Sequence, residues 1–240
     1  MHLDAALVAA VCGAAGGWFV PALIGRLPEP AADPDKKPRE PKEPYADIAA
    51  LPGLAWRSAL TSAVCAALVG AAVGWEWALV ILVPLAPVCV ALAVVDWRTR
   101  LLPTRLVLPA TGLAIVLGVV GWALTRDPDD LVRAVIGLVA VRSFFWVLWW
   151  FHSAGMGFGD VRLAALLGFA LGYLGVGELV VGAYAGFLVF GLPGLALAVV
   201  RRDRKLLKTA FPFGPFMLVG ALIGVLAGPA IWSGLFPAWA

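Results

Sequence analysis

The chain has 240 residues, of which 62% are hydrophobic and only 14% are charged. A water-soluble domain of this size cannot bury so many apolar side chains in one core, so the composition excludes an ordinary soluble enzyme and predicts a multi-spanning membrane protein. The formal net charge is +3, but basic residues in membrane proteins orient the loops, and the charge therefore indicates no nucleic-acid partner.

Eight apolar segments follow one another along the chain, most of them near the length of about 20 residues that crosses a bilayer as a helix. We therefore predict an all-α fold, a polytopic membrane bundle of about eight transmembrane helices. A glycine turn at residues 175–177 is predicted to separate the sixth span from the seventh. The spans are predicted at residues 5–25, 57–74, 78–96, 105–124, 131–151, 161–176, 178–200 and 211–233.

The segment between the first two spans is rich in Pro, Lys, Asp and Glu. This composition predicts a short flexible aqueous loop at residues 26–56, after a first span within residues 1–25 and before a membrane core at residues 57–240. Fourteen of the 18 basic residues lie in three loops on the same side of an eight-span bundle. By the positive-inside rule that side is cytoplasmic, and both termini face outward.

Two aspartates stand at predicted span ends on the cytoplasmic side. Asp96 closes the third span, and Asp160 opens the sixth after a loop that contains Gly155, Gly157 and Gly159. Ionisable groups at membrane depth are costly and commonly mark function. Two neighbouring carboxylates cannot both ionise easily, so one serves as acid and the other as base around a shared water, as in aspartic proteases. The glycines allow the backbone before Asp160 to leave helical geometry.

Each aspartate also has a simpler interpretation. Asp96 can be a solvated carboxylate at a helix end beside Arg98, and Asp160 can be a helix N-cap. A transporter that binds a proton or cation through both carboxylates is the alternative function, although transporter sites commonly lie near the bilayer midplane between repeated halves. The chain has no convincing internal repeat, and both aspartates are predicted at span ends.

Four segments together resemble one family. Residues 155–163 read Gly-Met-Gly-Phe-Gly-Asp-Val-Arg-Leu and closely resemble the Gly-x-Gly-Asp signature of type IV prepilin peptidases, which are polytopic aspartyl proteases. Residues 96–109 resemble the loop that carries the first catalytic aspartate of that family. Residues 17–28 and 212–216 resemble motifs of its first and last spans.

The resemblance implies an endopeptidase in a bacterial cytoplasmic membrane. Its substrates are expected to be prepilins or pseudopilins, cleaved after a glycine at the cytoplasmic membrane surface to release a short basic leader. Asp96 and Asp160 carry over as the catalytic pair, supported by Gly155, Gly157 and Gly159. No metal and no cofactor is implied, and the lipid bilayer is the other expected partner.

The chain departs from the family pattern at several positions. Residues 26–56 contain no cysteine where many members have two Cys-x-x-Cys pairs, and Trp18 and Pro21 replace the usual serine and asparagine. We therefore predict a peptidase without strong N-methyltransferase activity. Arg162 replaces a usual lysine, and Thr104 replaces a frequent aspartate.

Two arginines are candidates for supporting positions around the carboxylates. Arg162 follows Asp160 by two residues, and Arg142 lies near the middle of the fifth predicted span. A charge at that depth costs about 2.5–3.5 kcal/mol on translocon scales. Arg142 is therefore expected to pair with a catalytic carboxylate, or else to extend its guanidinium to the interface or to belong to a span whose boundaries are shifted.

Overall fold

The computed structural model describes residues 2–29, 42–151, 156–201 and 212–237. Every described element is a helix, and the polytopic all-α bundle expected from the sequence is confirmed. The helices are α1 (Leu3–Trp18), α2 (Val20–Gly25), α3 (Tyr45–Ala49), α4 (Leu54–Val73), α5 (Trp77–Thr99), α6 (Thr104–Thr125), α7 (Asp129–Phe151), α8 (Phe158–Leu174), α9 (Val176–Arg201) and α10 (Gly214–Leu235).

Each of the eight predicted spans corresponds to helix, with boundaries within a few residues of those expected. Five helices, α4 to α7 and α10, are long and apolar enough to cross a membrane, and α1 and the first part of α9 are shorter apolar helices. The predicted break between the sixth and seventh spans falls at Gly175. The first span differs from the prediction because the chain turns at Phe19, and α2 then begins at Val20 with Pro21 in its first turn. Proline suits a first helical turn, where its missing N–H leaves no hydrogen bond unmade.

The predicted flexible loop is structured in its described second half. Helix α3 begins at Tyr45, and Tyr45 and Ile48 are buried against the membrane core. The Tyr45 amide donates a hydrogen bond to Glu29 at 2.6 Å, which joins the two described ends of the segment. A loop is predicted from the polar residues around α3, which outnumber these two apolar side chains. The burial of the two side chains attaches the helix to the bundle.

Three antiparallel helix pairs, α1 with α4, α7 with α8 and α9 with α10, form the most closely packed parts of the bundle. Their contact faces are lined with small residues, which let helix backbones approach each other where apolar lipid offers no hydrophobic drive for association. Small residues recur at every fourth position on both faces of the first pair. These residues are Ala5, Ala9, Gly13 and Gly17 on α1, and Ser58, Ser62, Ala66 and Gly70 on α4.

Contacts at the helix termini define two ends of the bundle. At the far end, the indole of Trp75 just before α5 donates to Asp4 of α1 at 2.6 Å. Arg133 of α7 also lies there and donates to carbonyl oxygens at the end of α8. The opposite end, called here the aspartate end, holds Asp96 in the last turn of α5 and Asp160 in the first turn of α8.

Candidate active site

Asp96 is held in place by the first residue of the last helix. Its side chain is only 4% exposed, and Oδ2 accepts a hydrogen bond from the backbone amide of Gly214 at 3.0 Å. Amides in the first turn of a helix have no partner within the helix, so they are available to a carboxylate. A side chain at this position would collide with the carboxylate, because a Cβ on Gly214 would lie 2.6 Å from Asp96 Oδ2. Glycine is therefore the residue that allows this contact.

Asp160 is the third residue of α8 and is also buried, with 7% of its surface exposed. Its Oδ2 accepts a hydrogen bond from the amide of Gly157, the N-cap residue, at 3.1 Å. The alternative in which Asp160 is itself the N-cap is thus wrong by three positions, since Gly157 occupies the cap. The carboxylate therefore caps the first turn of α8 and lies at the start of that helix.

The glycines before Asp160 have separate reasons to be small. Gly157 has φ −74° and ψ 145°, an extended conformation open to any residue, and a Cβ there would make ordinary contacts. Gly159 is helical, but a Cβ on it would lie 2.7 Å from Cβ of Leu102. The backbone leaves helical geometry at Gly157, in a conformation that does not require glycine, whereas Gly159 is helical and is required for close packing against Leu102. Gly155 lies outside the described residues.

Leu102 connects the surroundings of the two aspartates. This residue lies in the loop between α5 and α6, and its side chain also approaches Gly214, where a Cβ would be 3.3 Å from Cδ2. The loop is therefore wedged between the start of α8 and the start of α10. The carboxylates themselves are near enough for the charge of Asp96 to act on Asp160. Residues 64 positions apart in sequence are thus brought to the same end of the bundle.

Arg162 and Arg142 have different surroundings. The Nη1 atom of Arg162 donates a hydrogen bond to Oγ1 of Thr104 at 2.6 Å, and its guanidinium lies over the Phe158 ring, 4.8 Å from the centroid. Arg142 lies on the exposed side of α7. Within the described part of the chain it makes no hydrogen bond or ion pair, to either aspartate or elsewhere.

The segment before α3 borders the site. Glu43 forms an ion pair with Arg98 at 3.2 Å, two residues beyond Asp96, and Lys42 is near enough to attract the Asp96 carboxylate. Both side chains of the ion pair are partly exposed, so the pair contributes little to stability. Lys42, Glu43 and Arg98 thus form a rim of charged side chains, called here the charged rim, next to the buried carboxylates.

Sequence reasoning missed Gly214 and Leu102 as residues of the site. Gly214 stands in the Pro-Phe-Gly-Pro segment already noted at the start of the last span, and a glycine directly before a proline at a helix start is a signal for an exposed helix N-terminus. Leu102 carries no signal of its own in the sequence. Among the described residues, no group of three or more His, Cys, Asp or Glu side chains is arranged to hold a metal ion.

Two buried carboxylates on separate helices, each with one oxygen bound to a backbone amide, form an arrangement that can share a proton and polarise a water.

Comparisons with known proteins agree on one family. The model of the type IV leader peptidase family matches residues 83–236. The "Prepilin leader peptidase/N-methyltransferase" of Pseudomonas putida is 32% identical over 177 residues, which are 70% of this chain and 58% of that protein. The protein of the same name from Escherichia coli K12 is 28% identical over 141 residues, 56% of this chain and 57% of that protein. The chain spans about half the length of these curated relatives, and no solved structure matches it at a significant level.

Proposed function

Because the chain belongs to the type IV leader peptidase family, we propose that it is an aspartic endopeptidase that removes the leader peptide of type IV prepilin-like proteins. The observation that carries this proposal is the pair of buried carboxylates, Asp96 and Asp160, on two helices at the same end of a membrane bundle. The named activity of the relatives supports the substrate class.

The chemistry requires one aspartate to be ionised and the other protonated. The ionised carboxylate accepts a proton from a water molecule, whose oxygen attacks the carbonyl carbon of the scissile peptide bond. The protonated carboxyl donates its proton to the carbonyl oxygen, which gives a neutral tetrahedral intermediate. The intermediate then collapses, the C–N bond breaks, and the amine leaves with a proton from the first aspartate. The hydroxyl proton returns to the second aspartate.

The hydrogen bonds from Gly214 and Gly157 prepare the carboxylates for these roles. A backbone amide keeps one oxygen of each carboxylate in a constant position, so the other oxygen is oriented toward the water without a search over rotamers. Burial strengthens the coupling between the two groups, because their charges are poorly screened.

The site is proposed to face the cytoplasm of a bacterial cell. Arg98, Arg100 and Arg105 are at the aspartate end, which the positive-inside rule assigns to the cytoplasmic side of the inner membrane. A leader with a basic sequence would meet the charged rim before it reaches the carboxylates. The two aspartates lie at helix ends and not near mid-helix, which favours a peptidase over the alternative transporter.

N-methylation of the new amino terminus is proposed to be weak or lacking. The relatives are named for both activities, whereas residues 26–56 of this chain contain no cysteine and Trp18 and Pro21 replace the usual family residues. Incubation with labelled S-adenosylmethionine and cleaved pilin measures this directly. Methyl incorporation at the rate of peptide cleavage would contradict the proposal.

The peptidase is tested with purified full-length protein in detergent and a prepilin that retains its leader. Asp96→Asn and Asp160→Asn should each lower the rate by at least about a thousandfold, since neither acid nor base can be replaced by an amide. Asp127→Asn, in the exposed loop at the far end, is the matched control and should cleave normally. Prepilin cleavage at the wild-type rate by either active-site variant, with the fold retained, would contradict the aspartic mechanism.

A further inference from the structure

The contact between Arg162 and Thr104 joins the two halves of the site. Arg162 belongs to α8, two residues after Asp160, and Thr104 is the first residue of α6, at the end of the loop that follows Asp96. Their hydrogen bond of 2.6 Å spans 58 residues of sequence. It is the described side-chain hydrogen bond that connects the start of the Asp160 helix to the loop region following Asp96.

The guanidinium is oriented from its own helix before it reaches Thr104. Phe158 and Arg162 are four positions apart in the sequence and therefore share one face of α8. The guanidinium lies over the Phe158 ring at 4.8 Å, and Phe158 itself contacts Trp149 of α7 edge to face, with centroids 5.1 Å apart. Stacking of this kind restricts a long side chain whose free rotamers would otherwise weaken the hydrogen bond.

We propose that Arg162 is a positioning residue, and that its hydrogen bond to Thr104 holds the loop after Asp96 against the start of the Asp160 helix so that the two carboxylates stay in register. The proposal rests on the proposed function of Asp96 and Asp160. The Arg162–Thr104 hydrogen bond is called here the latch. It acts together with Leu102 of the same loop, which packs against Gly159 of α8.

The chemistry of the latch suits this role. A guanidinium that donates to a hydroxyl forms a charge-assisted bond, which is stronger than one between neutral groups. Because Thr104 carries no charge, the hydrogen bond fixes the relative position of the two side chains and leaves the positive charge of Arg162 uncompensated. Phe158 and Arg162 are part of one rigid helical turn with Asp160, so a displacement of α6 at Thr104 is transmitted to the distance between the aspartates.

The test is a double-mutant cycle on the full-length enzyme with prepilin as substrate. Thr104→Val removes the hydroxyl with little change in shape, and Arg162→Met removes the donors and keeps an apolar stem. Each should lower kcat about tenfold with little change in KM, the loss expected when a bond to a charged group is broken. The double variant should also lose about tenfold, since only one interaction is removed.

Two further variants separate the latch from simpler effects. Thr104→Ser keeps an acceptor hydroxyl and should restore most of the rate, whereas a purely structural need for bulk would not be met by serine. Thr111→Val removes another hydroxyl of α6, one that bonds the carbonyl oxygen of Val107 within the same helix, and should cleave normally. Normal kcat in Thr104→Val, or losses that multiply to about a hundredfold in the double variant, would overturn the proposal.

Thermal unfolding of the same variants in detergent gives a readout that does not depend on cleavage. The changes in Tm of Thr104→Val and Arg162→Met should be non-additive if the latch exists, and additive changes would overturn it. If the wild-type protein leaves prepilin intact, the proposed function fails and the unfolding cycle still decides the latch. If the wild-type protein cleaves prepilin and both aspartate variants are inactive, a normal cleavage rate in Thr104→Val overturns the latch proposal and leaves the proposed function standing.

Discussion

At the scale of single residues, the candidate site depends on how closely backbones approach its two carboxylates. Gly214 lies so near Asp96 that its amide reaches the carboxylate and no side chain fits between them. Gly159 lies similarly close to Leu102. In both cases glycine is needed for space and not for an unusual backbone angle, so Gly214 and Gly159 are expected to be sensitive to the addition of a single methyl group.

Gly157 and Gly159, the two described glycines before Asp160, are predicted to respond differently to alanine. Gly159→Ala adds a Cβ that would lie 2.7 Å from Leu102, which must displace the loop or the start of α8. A shift of about 1 Å between reacting groups can cost a hundredfold in rate, so we expect cleavage to fall between about tenfold and a hundredfold. Prepilin cleavage by the purified variants measures the effect.

Gly157→Ala is the matched control for this substitution. Its backbone conformation is open to alanine, and the nearest atom to its Cβ, Asp160 Oδ2, would be 3.5 Å away. We expect its cleavage rate to remain within about threefold of wild type, because side chains in ordinary van der Waals contact require no rearrangement. Equal losses in the two variants would show that the glycines act through backbone freedom instead.

At the scale of helices, the bundle is built from pairs whose small residues bring their backbones together. Such pairs behave as stiff units because a displacement of one helix forces its partner to move. The site combines parts of several units: Asp160 belongs to the α7–α8 pair, Gly214 to the α9–α10 pair, and Asp96 to α5. The loop around Leu102 and the Arg162–Thr104 latch therefore join elements that belong to different units. The closest approaches in the three pairs join Gly17 to Ser58, Gly137 to Gly168, and Gly220 to Gly186.

Alanine at Gly168 is predicted to destabilise the α7–α8 pair. Its Cβ would lie 2.5 Å from the carbonyl oxygen of Gly137, and neither backbone can move aside without separating the helices. Overpacking of this kind costs about 1–3 kcal/mol. Unfolding of the purified protein in mixed micelles with increasing denaturing detergent measures the loss.

Gly112→Ala supplies the comparison for this helix-packing prediction. Gly112 lies on the exposed side of α6 with no atom within 4 Å of a Cβ, so alanine there should leave the unfolding free energy unchanged or raise it slightly. A Gly168→Ala protein as stable as Gly112→Ala would contradict close backbone packing between α7 and α8.

At the scale of the whole molecule, the bundle has two distinct ends. The aspartate end collects the last turn of α5 and the first turns of α6, α8 and α10, together with Arg98, Arg100 and Arg105. The far end carries the acidic residues Asp127 and Asp129. The cluster of basic residues at the aspartate end is the basis for the proposed orientation, in which that end faces the cytoplasm.

The orientation is predicted to appear in thiol labelling of single-cysteine variants in intact spheroplasts. With Cys12, Cys65 and Cys89 replaced, Asp129→Cys at the far end should react with a membrane-impermeant maleimide, and Arg105→Cys at the aspartate end should not. Both positions are exposed, so burial does not protect either one. Permeabilised cells are the control and should label both. Labelling of Arg105→Cys in intact spheroplasts would reverse the proposed orientation.

The sequence by itself determined the membrane class, the eight apolar helical segments and the two aspartates as candidates. These properties are local, since a run of apolar residues long enough to cross hydrocarbon must form a helix that satisfies its own backbone hydrogen bonds. A costly carboxylate at the end of such a run stands out for the same reason.

Only the tertiary structure decided how these elements meet. Leu102 between Gly159 and Gly214, the amide of Gly214 on Asp96, and Thr104 opposite Arg162 are contacts between segments distant in the chain. The exposure of Arg142 and the burial of Tyr45 are likewise invisible in the residues around them. Such contacts depend on which helix faces turn toward each other, and that choice is made by packing across the whole bundle and not by any single stretch of sequence.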